Sequence, residues 1–281
     1  LAQDDLKRLL AYDTVSQVGI MIVGLAAGNA SGVAGSAYHL VNHALFKALL
    51  FLCAGAIVHR TGATKLSEMG GLARRMPVIA AAFLLGVLSI AGIPPFNGYV
   101  SLSLIHQGLG SRHETVPYVI MLVAQVITMA ALGRAAWLAF FRRRDKDYEW
   151  REQLRPGMTA GFAVLGAGCV AFGAAGPVVL RRLMAPAAAS LLSPARYARG
   201  VLSGTARLPR LNIPFDYGSP KELIAVAASV VVAATLAWGY LRISEPLVIR
   251  GLRALHSGSA NDYAAYAVVG TLAMVAVLSL A

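Results

Sequence analysis

Seven predominantly apolar stretches, at about 12–28, 36–58, 76–107, 117–141, 158–180, 221–243 and 260–281, take up most of this 281-residue chain. A helix needs roughly 20 mostly apolar residues to cross the hydrocarbon of a bilayer, and each stretch is close to or above that length. The connectors between them are charged or rich in glycine and proline. Only 14% of the residues are charged and 57% are apolar, whereas a soluble domain carries roughly 25% charged residues. The expected fold is all-α, a polytopic membrane bundle of about seven transmembrane helices, with residues 1–281 forming a single membrane domain. Soluble Rossmann, barrel and sandwich architectures are excluded, and no tandem repeat is evident. The chain opens on Leu1 and the polar string AQDDLKR, with no signal peptide, and reads as a piece of a longer or processed protein.

The third stretch is interrupted at Pro94 and Pro95, after which a shorter apolar piece runs from Phe96 to Gly108. Proline removes a backbone donor and clashes with the preceding turn. A helix broken at residues 92–97 is therefore expected, its freed carbonyls satisfied inside the protein or by water.

Lysine and arginine set the expected orientation. With the N-terminus cytoplasmic, that side collects 15 cations, six of them between Arg142 and Arg155, against 8 on the other side. The rule weights short loops most heavily, and it favours N-terminus in and C-terminus out. Six of those 8 lie in one long connector, 181–219, and a seventh, Lys221, just past its end; its prolines Pro186, Pro194, Pro209 and Pro214 predict short interfacial helices and turns. That connector is expected to be extracytoplasmic. The net charge of +12 sits between apolar runs and forms no aromatic-interleaved stripe, so its expected partner is the anionic leaflet and not nucleic acid. Cys53 and Cys169 lie inside apolar runs, away from any metal-ligand spacing, and read as small buried residues.

The second stretch, GSAYHLVNHALFKALLFLCAGAIV, places His39, His43 and Lys47 at i, i+4 and i+8. At roughly 100° per residue these three drift about 40° around a helix while rising about 12 Å, which makes a polar stripe. Lys47 stands near the middle of the run, where a charge costs at least ~2.5 kcal/mol on insertion scales. It must face the bundle interior, a partner or water. A lysine near a helix end would snorkel; a central one stacked under two histidines reads as an ionisable chain. The rival use of the spacing is haem or metal ligation, but no third ligand is evident and Lys47 would bring a like charge to the metal.

Four strings, DLKRLLAYDTVSQVGIM, HLVNHALFKALLFLCAGAI, LSEMGGLARRMP and GIPPFNGYVS, follow one another through residue 108. Together they resemble the antiporter-like membrane subunits of respiratory complex I, a family that includes Mrp cation/proton antiporter and membrane-bound hydrogenase subunits. SGSANDYAAYAVVG resembles the family's last helix. The resemblance implies fourteen to sixteen helices with two inverted five-helix repeats, of which this chain would supply the C-terminal portion. It implies an ion-translocating subunit, moving protons or Na⁺, within a redox- or gradient-driven complex in a bacterial plasma membrane or an equivalent energy-transducing membrane. Other membrane subunits are the implied partners, and no cofactor is implied. No catalytic site is read in the chain itself; any NADH:quinone oxidoreductase or hydrogenase-type activity would belong to its partners. Lys7 matches a lysine on the cytoplasmic approach, and His39, His43 and Lys47 match a hydrated relay along the midplane.

The departure from the family lies beyond the proline pair. Family members commonly carry Lys or Glu in strings like GFVSK, and here the string is GYVSLSLIH, with Leu102 at that position. Three readings follow: the exit is closed and the chain is a structural or coupling subunit; His106, one turn on, takes over the role; or a residue from another helix does. A stand-alone secondary transporter is the remaining competitor. Among other polar residues, Arg134 would snorkel to the cytoplasmic side or contact a neighbouring helix, and Asp13 would cap the first helix. Asp4, Asp5, Asp216, Glu222, Glu245 and Asp262 sit at run edges and read as solvated or paired with nearby cations.

Overall fold

The structure, a computed structural model, describes residues 1–143, 148, 150, 156–204 and 211–242. Leu1 and Gln3–Trp238 form one compact unit, and Ala2 with Gly239–Ala281 forms another. All the side chains of the candidate site belong to the first. The seventh apolar stretch, 260–281, lies outside the described residues.

Among the described residues, five helices are long and apolar enough to span a membrane. They are α1 (Leu6–Ala26), α2 (Ala30–Thr61), α6 (Thr115–Ala136, prolonged by a π-helical turn Trp137–Phe141), α7 (Pro156–Ala174) and α11 (Pro220–Arg242). Their ends carry ordinary signals. The Asp5 carboxylate accepts from the Arg8 amide at 2.9 Å and the Asn29 side chain accepts from the Gly32 amide at 2.8 Å, each satisfying a donor that the first turn leaves open. Gly62 ends α2 in the left-handed region at φ 71°. Helix α1 starts six residues before the hydropathy run because its first turns are one-sided: Leu6, Leu9 and Leu10 are buried while Lys7 and Arg8 face out. Asp13 is consequently an interior residue of α1 and not its cap.

The third stretch folds as two halves, α4 (Pro77–Ile90) and α5 (Asn97–Ser111), preceded by a single turn α3 (Leu72–Arg75). At 1.5 Å per residue each half is ~21–22 Å long, too short to cross alone. Between them the chain turns at Ala91–Gly92, with Gly92 at φ 71°, and runs through Pro94 and Pro95. Part of the break is satisfied from within, while the Asn97 side chain at its far end is buried with neither its nitrogen nor its oxygen partnered among the described residues. The Gln125 amide donates to the Ala91 carbonyl at 3.3 Å, the Asn42 amide donates to the Asn97 carbonyl at 2.8 Å, and Phe96 N–H bonds to the Ile93 carbonyl at 3.0 Å. Two glycines let backbone meet backbone there. A Cβ on Gly98 would lie 1.8 Å from the Ser89 carbonyl oxygen, and one on Gly173 of α7 would lie 2.1 Å from that of Pro95.

Helix α2 is central, packed by α1, α4, α5 and α7. Its Phe46, Leu49 and Leu50 join Phe83 of α4 and Phe140 in the main apolar core. After α7 come a short turn of helix α8 (Gly176–Val179), a π-helical turn Leu180–Met184, and the short helices α9 (Ala185–Leu192) and α10 (Pro194–Leu202). Among its described residues the 181–219 connector thus holds short helices and an irregular piece, with no further span. Residues 211–219 return along α5: the Tyr99 hydroxyl donates to the Tyr217 carbonyl at 3.0 Å, and Gln107 donates to the Pro214 carbonyl at 3.1 Å. Helix α11 follows, with Ile224, Val231 and Trp238 exposed, as suits a lipid- or subunit-facing span.

The close approach at the break gives a direct test. Overpacking a fitted site costs typically ~1–3 kcal/mol, occasionally more, and here the obstruction is backbone. Gly98→Ala should lower the thermal midpoint and folded yield of the full-length subunit in detergent, whereas Gly110→Ala, in open space, should leave both unchanged. Equal behaviour of the two variants would contradict the packing at the break.

Candidate functional site

The α1–α2 seam is polar where both helices are deepest. Lys47 is only 6% exposed; its Nζ lies 2.5 Å from Asp13 Oδ2 and donates to the Leu10 carbonyl at 2.8 Å. The second carboxylate oxygen of Asp13 accepts from the Thr128 hydroxyl of α6 at 3.0 Å. This pair neutralises a charge that the hydrocarbon interior would otherwise oppose by several kcal/mol. The spacing on α1 then repeats: one turn above Asp13, Gln17 reaches His39, whose Nε2 sits 2.8 Å from the Gln17 side-chain oxygen. An amide oxygen only accepts, so His39 carries its proton on Nε2 and its Nδ1 is the acceptor. Nδ1 lies 2.9 Å from the Ser101 hydroxyl of α5. Asn42 donates to that same hydroxyl at 3.1 Å as well as to the Asn97 carbonyl, so the histidine cluster is tied to the helix break.

The five residues proposed from sequence as a relay are therefore distributed. His39 and Lys47 occupy two levels of one seam, with His43 between them. Its ring packs edge-on against Phe46, centroids 5.5 Å apart, and its Nε2 is buried without a hydrogen-bond partner among the described residues. Lys7 is exposed in the first turn of α1, apart from the seam. His106 is on α5, beyond Leu102, with its ring 5.3 Å from that of Tyr118. Leu102 is 2% exposed and packs in an apolar cluster with Ile20, Ile105, Leu109 and Met121. Among the described residues no direct hydrogen bond joins the Lys47–Asp13 pair to the His39 cluster. Among the described residues no group of three or more His, Cys, Asp or Glu side chains is placed to hold a metal.

Sequence reasoning missed the partners. In the sequence Asp13 reads as a cap, and Gln17, Asn42, Ser101 and Thr128 do not stand out singly. The i, i+4 spacing of Asp13 and Gln17 was the available signal, matching the stripe on α2 once α1 is started at Leu6. Arg134 is buried, its guanidinium donating at 3.3 Å to the carbonyl of Gln3, in the segment just ahead of α1. Glu222, expected at a solvated edge, is half-buried in a cleft beside Leu102.

Fold and seam together define a polytopic helical membrane protein with an ionisable interior. Residues 1–128 match the transmembrane family described as NADH:quinone oxidoreductase/Mrp antiporter. Over that length the chain is similar to this family of antiporter-like membrane subunits. It is 36% identical over 187 residues to F(420)H(2) dehydrogenase subunit L of Methanosarcina mazei, covering 62% of this chain and 28% of that protein. It is 41% identical over 155 residues to hydrogenase-4 component B of Escherichia coli K12, covering 50% and 23%. In fold it is similar to a chain of the Mrp complex from Dietzia sp. DQ12-45-1b, with a TM-score of 0.65 at 23% identity, over 72% of this chain and 45% of that one. The chain thus spans about a quarter of the length of these curated relatives.

Removing one partner of a buried ion pair leaves the other charge uncompensated, at a cost of about 3–5 kcal/mol. Asp13→Ala and Lys47→Met should each lower the thermal midpoint of the full-length subunit. The neutral double variant Asp13→Asn/Lys47→Met should recover most of the loss. Additive losses in the double variant would show that the two groups do not act as a pair.

Proposed function

We propose that this chain is the ion-conducting C-terminal portion of an antiporter-like subunit that moves protons or Na⁺ within a multisubunit, redox- or gradient-driven membrane complex. The observation that carries the reading is the buried Lys47–Asp13 pair set in a polar seam with His39. Ionisable groups at that depth cost a bundle free energy that apolar residues of similar volume would not, and the segment holding them is the one that matches the family. In mechanism, a cation arriving at Lys47 competes with its attraction to Asp13, and loosening of that pair hands charge along the seam. A neutral imidazole both accepts and donates, so His43 and His39 are the steps between Lys47 and the Ser101 hydroxyl at the break. Lys7, at the mouth of α1, serves the cytoplasmic approach, and His106 continues the path past Leu102. Partner subunits would drive transport by altering the field on the Lys47–Asp13 pair. The orientation that goes with this reading places the chain's N-terminus in the cytoplasm, its C-terminus outside and the 181–219 connector on the outer face of an energy-transducing membrane.

A second reading is favoured by one observation, the apolar packing of Leu102 against Ile20, Ile105, Leu109 and Met121. A subunit closed there would transmit force without conducting.

His43 separates the two. Its Nε2 makes no hydrogen bond among the described residues and its ring makes an apolar contact, so His43→Leu removes little packing. In the intact complex reconstituted into vesicles, His43→Leu should reduce coupled ion translocation by about tenfold or more, in line with the loss of a proton-transferring group, while the complex still co-purifies in normal amount. Unchanged translocation per complex would support the structural subunit.

A further inference from the structure

Where α11 begins, the connector's return along α5 produces a second polar site, separate from the seam. Tyr99 and Gln107 hold the connector by its Tyr217 and Pro214 carbonyls, and five residues past Tyr217 the chain places Glu222 over the α5–α6 groove. The cleft there is lined by Glu222, Ser103, His106 and Gln125, with Leu102 as part of its floor. Its enclosed space fits about one water molecule. Two of the lining side chains are unsatisfied. His106 is 8% exposed and Gln125 4%, yet His106 Nε2 and Gln125 Oε1 are buried without a partner among the described residues. The direction of Gln125 is fixed, because its amide nitrogen donates to the Ala91 carbonyl and its oxygen must turn the other way. Buried polar atoms in native proteins find partners, in the protein or in ordered water. The Ser103 hydroxyl faces the Glu222 carboxylate, and Glu222 forms no ion pair among the described residues.

We propose that Glu222 and His106, joined through one water held by Gln125 and Ser103, form a proton-exchange site beside Leu102. The inference rests on the ion-translocating reading and assigns to it a carboxylate from α11 that the proline-broken helix does not itself supply. In the exchange, the N–H bond at His106 Nε2 breaks and an O–H bond forms on the bridging water. The water passes a proton of its own to a Glu222 carboxylate oxygen, so the imidazolium becomes neutral and the carboxylate becomes a carboxylic acid. Imidazole nitrogen in the lining and room for one water select a proton over Na⁺, which requires a fuller oxygen shell. Glu222 is half-buried, so the acid lies at the open end of the cleft and releases its proton there. An acid in a helix's first turn also favours the helix dipole, but that role requires no histidine across the cleft.

The test uses the intact complex with the full-length subunit, reconstituted in vesicles, in wild type, Glu222→Gln, His106→Leu and the double variant. Each single variant should lower proton translocation about tenfold or more at normal assembly, and the double variant should be no worse than the singles, since both sit on one path. Infrared difference spectra of the same complexes should show a carboxylic acid band that titrates and is missing in Glu222→Gln. If His43→Leu blocks translocation while Glu222→Gln leaves both translocation and the infrared band unchanged, the exchange site is refuted and the general reading stands. If His43→Leu and Glu222→Gln are both without effect on translocation, the ion-translocating reading itself fails, and the inference with it. Multiplicative losses in the double variant would assign the two residues to separate roles and overturn the shared site.

Discussion

A charged lysine in the middle of an apolar helix is the constraint on which the rest of this structure depends. Lys47 cannot face lipid without a cost of several kcal/mol, and removing its charge from water is balanced only by a close counter-charge and further hydrogen bonds. Asp13, the Leu10 carbonyl and, through Asp13, Thr128 supply these. Satisfying Lys47 therefore fixes the register of α1 on α2 and brings α6 to the same point. Once that register is set, Gln17 falls opposite His39, and the upper half of the seam follows from the lower.

The broken helix obeys the same rule for backbone that Lys47 obeys for side chains. Its open Ala91 carbonyl is taken by Gln125, Asn42 adds a donor to the Asn97 carbonyl at the start of α5, and close backbone approach at Gly98, against Ser89 of α4, and at Gly173, against Pro95, packs it. Asn42 also donates to Ser101, the hydroxyl beside His39 Nδ1. The break and the histidine are consequently one hydrogen-bonded assembly, and a shift at either is felt at the other. The connector contributes by returning Tyr217 and Glu222 to the α5 surface, which places a carboxylate next to two buried polar atoms on helices remote from it in sequence.

Much of the scaffold was legible beforehand because hydropathy and proline chemistry are local. The apolar stretches, the interruption at Pro94 and Pro95, the polar stripe of His39, His43 and Lys47, and the family resemblance of residues 1–108 all reside in short windows. The hydropathy runs placed the start of α1 too late, because its first turns are half apolar and half charged, and that shift turned Asp13 into a supposed cap. The partner of Lys47 lies 34 residues away and that of His39 Nδ1 lies 62 away, so no periodicity in either segment announces them. Glu222 was hidden for a similar reason: its position depends on where a proline-rich connector lands, and that is settled by contacts of Tyr99 and Gln107 with backbone carbonyls.

Stability and conduction make different demands on the same pair, and the distinction decides whether the seam is there for transport or for folding. A neutral pair of similar shape satisfies the packing, whereas a charge that moves cannot be replaced by one that is absent. The most direct measurement is the number of ions translocated per turnover by the intact complex carrying Asp13→Asn together with Lys47→Met, against wild type at equal assembly. The account predicts a complex that assembles normally and has lost the ions contributed by this subunit. An assembled complex with an unchanged ion count would contradict it, and would leave the Lys47–Asp13 pair as a structural clamp.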